Sequence, residues 1–286
     1  MKRIATIGLA AFLAVTLAGT VLAAAAVDLG TAKSFAVLAG TTITNTGATT
    51  ITGDVGLHPG AAVTGFDTVT LDGAQHVADP VALDAKNALV TAYNDAAGST
   101  PVTKVATELG GTTLKPGVYG SDTLGLTGTL TLDGEGLYIF QAASTLITAP
   151  NSEVALIGGA SACNVYWQVG SSATLDTGTK FKGTIMALTS IALKTGAMLQ
   201  GRALARDGAV TMDNNTIDSS SCSAPSPTPK PGTKPAATPP ATDTVASTPA
   251  AVTDPVSATF LVLLLIAAIA LVGSLGFTVI RSRPRD

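Results

Sequence analysis

The chain offers two cysteines, two histidines, scattered aspartates and many threonines as residues with chemistry to perform. Cys163 and Cys222 are its only cysteines, and an even count in an exported segment points to a disulfide that would tether the last residues of a domain to a middle coil. His58 and His76 stand 18 positions apart without a third partner of metal-ligand type, so they read as surface loop residues rather than a metal site. Asp54, Asp207, Asp213 and Asp218, with Arg202 or Arg206, are the residue types a polysaccharide lyase would use. They fall at unmatched places in the repeat described below instead of in one stacked row, which counts against catalysis. Asn214-Asn215-Thr216 spells a glycosylation sequon, read here as a fortuitous match in a strand turn. Neither a catalytic site, a metal nor a cofactor is expected. What remains is threonine, whose branched side chain holds few rotamers while its hydroxyl can join an ordered water lattice. Exposed strand threonines are also favoured by β propensity alone.

Composition narrows the setting. Only 12% of the 286 residues are charged, 46% are apolar and the net charge is −3, which leaves no basic surface for nucleic acid. Thirty glycines and few aromatics suit closely stacked β structure. At the start, Met1-Lys2-Arg3 precedes an apolar stretch over residues 4–18 and an alanine run at 23–26, the pattern of a secretory signal peptide over 1–26. An uncleaved membrane anchor is the alternative there. Near the other end, residues 257–280 hold no charge and would form a helix of about 36 Å, long enough to span a bilayer. Arg281, Arg283 and Arg285 follow, and place a cytoplasmic tip at 281–286. Residues 223–256 are rich in Pro, Thr and Ala and read as a disordered, extended stalk, roughly 100 Å long at about 3.1 Å per residue. The expected organisation is an extracellular ectodomain, residues 27–222, on a single-pass cell-membrane anchor.

Within that ectodomain the sequence repeats. TLDTGTKFKGTIMA from Thr174 aligns with ALKTGAMLQGRALA from Ala192, matching Leu175 to Leu193, Gly178 to Gly196, Gly183 to Gly201 and Ala187 to Ala205 at an offset of 18. Shorter copies begin at Thr145 and Thr211. Such spacing indicates β-solenoid coils, each burying its inward apolar residues against the next. The stretch from Thr41 to Leu57 follows the same plan, with Ile43, Ile51 and Val55 inward and Thr42, Thr44, Thr50 and Thr52 outward. One helix interrupts the coils: Asp79 is a good N-cap, Pro80 suits the first helical position and Gly98 can end it. Val81, Ala85, Ala88, Leu89, Ala92, Tyr93 and Ala96 form its apolar stripe, and it should lie along the side of the solenoid.

The ordered blocks LGTAKSFAVLAGTTITNTGATTITGDVGL, DPVALDAKNALVTAYNDAAG, LKPGVY, GLYIFQ and the run from CNVYWQVG to TMDNNTI closely resemble the DUF3494-type ice-binding proteins, from about Leu29 to Ile217. That resemblance implies a mainly β fold: a discontinuous, three-faced β-solenoid with one long helix packed alongside. It also implies a flat face that binds ice, with a T-A/G-x-T/N pattern in some members. Thr46-Gly47-Ala48-Thr49 and Thr148-Ala149-Pro150-Asn151 fit the pattern. Later coils depart from it, with Lys180 after Thr177-Gly178-Thr179, Met198 after Thr195-Gly196-Ala197, and no leading Thr at Asn214-Asn215-Thr216. The expected ice-binding set is Thr42, Thr44, Thr46, Thr49, Thr148, Asn151, Thr177, Thr195 and Thr216. Ice is the expected partner, and the membrane is met through the C-terminal helix. The alternative is a surface adhesin that binds a cell or polymer ligand without affinity for ice.

Overall fold

Alternating apolar and polar residues in runs of three to five make strands too short to stand alone, and parallel pairing with the same run one coil away supplies what each lacks. The computed structural model describes residues 27–222, and its strands pair in this way in two parallel sheets of 15 and seven strands. The seven-stranded sheet is one face of the solenoid: Leu124–Leu126, Leu146–Thr148, Ala173–Leu175, Ile191–Leu193, Val210–Asp213, Thr42–Thr46 and Ala62–Thr64, in that spatial order. The larger sheet bends into the two others. The helix-covered face runs from Val102–Lys104 through Tyr138–Ala142 and Val165–Val169 to Phe35–Ala39, Asp54–Leu57 and Gln75–Val77. The third face runs from Thr113–Leu114 through Thr129–Asp133 and Glu153–Ile157 to Thr216–Asp218, Thr50–Thr52 and Thr70–Asp72.

Two long strands, Lys180–Ala187 and Met198–Ala205, serve both of these faces. They turn the corner at Gly183 and Gly201, whose φ values of +109° and +146° belong to the region that favours glycine. A Cβ on Gly201 would stand 2.0 Å from the Gly183 carbonyl oxygen, so the corner closes only without side chains. The 18-residue offset is the physical register: Leu175 pairs with Leu193, Phe181 with Leu199, Gly183 with Gly201 and Ala187 with Ala205.

The coils do not stack in chain order. The C-terminal coil packs on the N-terminal one, with Val37 paired to Ala203, Ile43 to Val210 and Thr50 to Thr216. The coil that follows, Asp54 to Asp72, covers the far side of the first, and Gln75–Val77 pairs outside its first strand to end the stack. From there α1, Pro80–Gly98, leads back along the side, and the chain resumes at Val102–Lys104 at the opposite end. Nineteen helical residues span about 28 Å, roughly six strand spacings.

Inside the coils, Ile43, Ile51 and Val55 are fully buried as expected, and an aromatic stack crosses the middle. Ring centroids lie 5.5 Å apart for Tyr119 and Phe140, 4.1 Å for Phe140 and Trp167, and 4.8 Å for Trp167 and Phe181. The Trp167 indole N–H donates to the Lys182 carbonyl at 3.0 Å, so the buried ring leaves its donor satisfied.

Asp79 caps α1 by accepting from the Ala82 amide at 2.8 Å, and Pro80 occupies the first position. The buried stripe is Ala82, Ala85, Leu89, Ala92, Tyr93 and Ala96. Val81, expected in that stripe, is exposed, because the stripe begins one residue later and Val81 falls on the solvent side. Lys86 joins the buried side instead. Its ammonium donates to the Ala205 carbonyl at 2.7 Å and to that of Arg206, tying the helix to the C-terminal coil, while burial pushes its pKa down to about 8. His76 is not a loop residue: it lies in a strand, half-buried, with Nδ1 2.8 Å from the Asp79 carboxylate.

Cys163 and Cys222 are joined, with Cα atoms 4.8 Å apart across a separation of 59 residues. The bond ties the end of the described chain to the loop that opens the Val165–Val169 strand. Among the described residues no helix is long and apolar enough to cross a membrane. The expected signal peptide (1–26), stalk (223–256), membrane helix (257–280) and cytoplasmic tip (281–286) lie outside the described residues.

Replacing both Cys163 and Cys222 by Ser should lower stability by up to about 4 kcal/mol, the chain-entropy value for a loop of that length. Urea unfolding, oxidised against reduced and against the double variant, reads it. Equal midpoints would show that the bridge adds nothing.

Candidate functional site

Where a side chain points in a solenoid is decided by its row. On the seven-stranded face the outward row runs Gly125, Ile147, Thr174, Ala192, Thr211, Thr44 and Thr64, each paired in register with the next. None of these seven is charged and none is long, and Thr64 donates to the Thr44 hydroxyl at 3.3 Å. Thr42 opens the strand before Thr44 and is half-buried beside Ala62.

A second row follows the edge of this face. Asn151, Gly178, Gly196 and Asn214 all have φ between +53° and +70°, and the amide of each donates to a carbonyl on the next coil: to Thr177, Thr195, Asp213 and Thr46 in turn, at 2.8 to 3.1 Å. Thr177, Thr195, Asp213 and Thr46 therefore form one edge row, with Asn151 at the end of the ladder. Thr195 hydrogen-bonds the Asp213 carboxylate across neighbouring coils. Between the two rows Lys194 reaches back to Asp176 at 3.3 Å. The Thr177 amide, followed by Lys194, holds the Asp176 carboxyl below its ordinary range. A shallow trough of about 320 Å³ lies among Thr44, Thr46, Thr177, Thr195 and Thr211.

Six of the nine expected site residues thus gather on this face or its edge: Thr42, Thr44, Thr46, Asn151, Thr177 and Thr195. Thr49 and Thr148 do not. Each is 1% exposed, and their hydroxyls satisfy buried backbone instead of meeting solvent. Thr49 accepts from the Asn215 amide at 3.0 Å; Thr148 accepts from the Asp176 amide at 2.8 Å and pairs with the Thr179 hydroxyl at 2.8 Å. Thr148 takes the inward row of its strand, paired with Leu126, while Thr49 is the fourth residue of a turn whose equivalents Ser152, Thr179 and Ala197 also point inward and fill the corner. Ser152 hydroxyl bonds the Leu126 and Ala149 carbonyls, and the Asn215 side-chain amide bonds those of Lys194 and Ala197. The last Thr of the pattern Thr46-Gly47-Ala48-Thr49 is thus a corner plug.

Thr216 lies on the third face, in a row that reads Thr70, Thr50, Thr216, Met198, Lys180, Glu153 and Thr129. Lys180 and Met198, expected to interrupt the threonine face, belong to this row and leave the seven-stranded face untouched. Thr64, Thr174 and Thr211, which stand in the outward row, are not in the expected set.

The acids and arginines considered for lyase chemistry are dispersed. Asp213 stands on the edge row, Asp218 on the third face and Asp207 in an exposed turn, while Asp54 accepts from the Ala74 amide at 2.9 Å. Arg202 is buried on the helix-covered side.

A family model described as ice-binding-like matches residues 37–218. The ice-binding protein of Nostoc sp. (strain HG1) is 48% identical over 204 residues, covering 69% of this chain and 76% of its own. That of Colwellia sp is 38% identical over 225 residues, covering 71% and 88%. Among solved structures, an ice-binding protein from an Antarctic biological consortium superimposes with a TM-score of 0.68 at 45% identity, over 75% of this chain and 96% of that one. The DUF3494 domain of Shewanella frigidimarina ice-binding protein 1 gives 0.65 at 30% identity, over 69% and 98%.

The corner plugs generate a prediction. Thr179→Val keeps the shape but strips the partner from Thr148, and should cost about 1–3 kcal/mol. Thr148→Tyr forces a ring into the corner and should cost at least as much. Thermal unfolding of both, beside Thr44→Tyr as an exposed control, checks the assignment; equal melting temperatures for all three would overturn it.

Proposed function

The chain belongs to the ice-binding-like family, and from that premise we propose that it binds ice through the seven-stranded face; from its sequence alone we propose that a C-terminal helix holds it at the cell surface. The observation that carries the ice reading is the uncharged row Gly125, Ile147, Thr174, Ala192, Thr211, Thr44 and Thr64. An ice surface presents no charge to pair with and no pocket to fill, so adsorption needs many weak contacts made at once by groups that do not move. Strand pairing spaces the row at about 4.8 Å per coil, and branched or very short side chains keep it low and rigid. Four threonines set hydroxyl and methyl groups beside the alkyl groups of Ile147 and Ala192 along it, so water can order over the apolar parts and be anchored by the polar ones. Lys194, the one long cation beside the row, is held by Asp176. The third face lacks these properties, since Glu153, Lys180, Lys182 and Met198 stand out from it.

Anchoring rests on sequence: an uncharged stretch at 257–280 followed by three arginines, and an extended stalk that would carry the solenoid clear of the membrane. An ice-binding face on such a stalk attaches a cell to ice or shields it from ice growth.

Ice partition tests the first half. The protein should enter slowly growing polycrystalline ice, and Thr44→Tyr or Thr211→Tyr should reduce uptake severalfold with melting temperatures within about 2 °C of wild type, because an exposed ring leaves the core packed. Exclusion of the wild type as complete as that of an unrelated protein defeats the ice reading and leaves the surface adhesin. Undiminished uptake by both variants defeats the choice of face.

Protease shaving tests the second half. Proteinase K added to intact cells should release a solenoid fragment into the medium, since residues 223–256 offer it Ala, Thr and Val bonds, whereas the Lys230-Pro231 and Lys234-Pro235 bonds resist trypsin. Full protection, or recovery of the whole uncleaved chain in the medium, refutes a surface anchor.

A further inference from the structure

Arg202 is 2% exposed, and it is the one guanidinium in the described residues so deeply enclosed. Its Nε donates to the Lys33 carbonyl at 2.9 Å and Nη2 to the Cys222 carbonyl at 3.3 Å. Those are two of the five N–H donors a guanidinium carries. Among the described residues no carboxylate comes within ion-pair distance of it. A buried charge without a counter-charge is costly, by several kcal/mol after relaxation, and folds retain one where something else compensates it.

The compensation has room to enter. Arg202 lines an open pocket of about 230 Å³ between the N-terminal segment, the Cys163–Cys222 bridge and the helix-covered face, together with Asp28, Lys33, Asn164 and Tyr166. Tyr166 is 9% exposed, and among the described residues its hydroxyl has no hydrogen-bond partner. Register brings it near: Tyr166 pairs with Thr184 and Thr184 with Arg202 on successive strands. Lys33 adds a second positive charge at the rim. Asp28 opposes them, but its carboxylate already accepts from the Gly30 amide at 2.9 Å, and the lining sums to one positive charge.

We propose that this pocket binds a small oxyanion, a carboxylate or a tetrahedral phosphate or sulfate, with the Arg202 guanidinium and the Tyr166 hydroxyl as its donors. The fork of a guanidinium matches two oxygens of such a group, and its enclosure strengthens the bond by excluding water. The volume accepts an inorganic ion or a single acidic sugar unit. The site is independent of ice binding, and neither reading needs the other.

The test is a thermal-shift titration of the intact protein with sodium sulfate, sodium phosphate and sodium galacturonate, each against sodium chloride at matched ionic strength. Because sulfate and phosphate raise melting temperatures without binding, the signature sought is saturation that depends on Arg202. The wild type should saturate, and Arg202→Gln should lose the saturable part. Tyr166→Phe, which removes only the hydroxyl and keeps the ring packed, should weaken apparent affinity about tenfold. If Arg202→Gln does not fold, Tyr166→Phe and the Arg202 Nε–H resonance of the wild type carry the test, the resonance shifting along a saturating curve. Tighter binding of galacturonate assigns the pocket to acidic sugars, and tighter binding of phosphate or sulfate assigns it to free inorganic ions. A linear rise identical in wild type and Tyr166→Phe, with no movement of the resonance, overturns the proposal.

Discussion

Parallel pairing in register between coils is the constraint from which the other features follow. Once Leu175 sits over Leu193 and Gly183 over Gly201, every side chain inherits a row, and the row fixes whether it is core, corner or surface. The offset of 18 residues is therefore a geometric quantity, the length of chain that closes one turn around three faces. Each coil alone would expose its Leu, Ile and Phe side chains on both flanks, at about 1.5–3 kcal/mol apiece. The stack removes that cost everywhere except at its two ends. Rigidity of the exposed rows is a by-product, because the backbone beneath them is hydrogen-bonded on both sides.

Stacking out of chain order then decides where the fold needs ties. The coil formed last must find the coil formed first, and its strands close on Phe35–Ala39, Thr42–Thr46 and Thr50–Thr52. Several bonds between residues far apart in sequence converge on that seam. Lys86 on the helix holds the carbonyls of Ala205 and Arg206, Arg202 holds those of Lys33 and Cys222, and the disulfide fastens Cys222 to Cys163. Two of these ties use buried cations donating to main-chain carbonyls, an arrangement that fits an irregular corner where no strand can supply the missing donors.

The fold was legible in the sequence because its signal is periodic. Repeated Gly and Leu positions gave the register, and Asp79, Pro80 and Gly98 gave the helix limits. The interior of the first coil was legible for the same reason. The site was legible only in part. Thr44, Thr46, Thr177 and Thr195 lie on the seven-stranded face or its edge, whereas Thr49 is the inward fourth residue of its turn and Thr148 takes the inward strand row two residues after Leu146, over Leu126. Turn length also shifts the register: five residues lead from Ala205 to Val210, where four lead from Ala187 to Ile191, so Thr211 stands 19 residues from Ala192 and outside the 18-residue pattern. Lys180 and Met198 follow the turn, open the next strand and so belong to the next face.

Corner plugs and surface threonines also explain how one residue type serves two purposes without conflict. An inward Thr, Ser or Asn bonds main-chain groups that the left-handed turn leaves unpaired, so it is tied to the geometry of the corner and tolerates no larger side chain. An outward Thr touches only its row neighbours, and its replacement perturbs what the surface presents while the core stays as it was. Because the two sets alternate along the same turns, a row of exposed hydroxyls comes with its own rigid foundation. A surface meant to meet another ordered lattice needs both, since any freedom left in the row would have to be lost on contact, at about 0.5–1.5 kcal/mol for each rotamer-rich side chain immobilised.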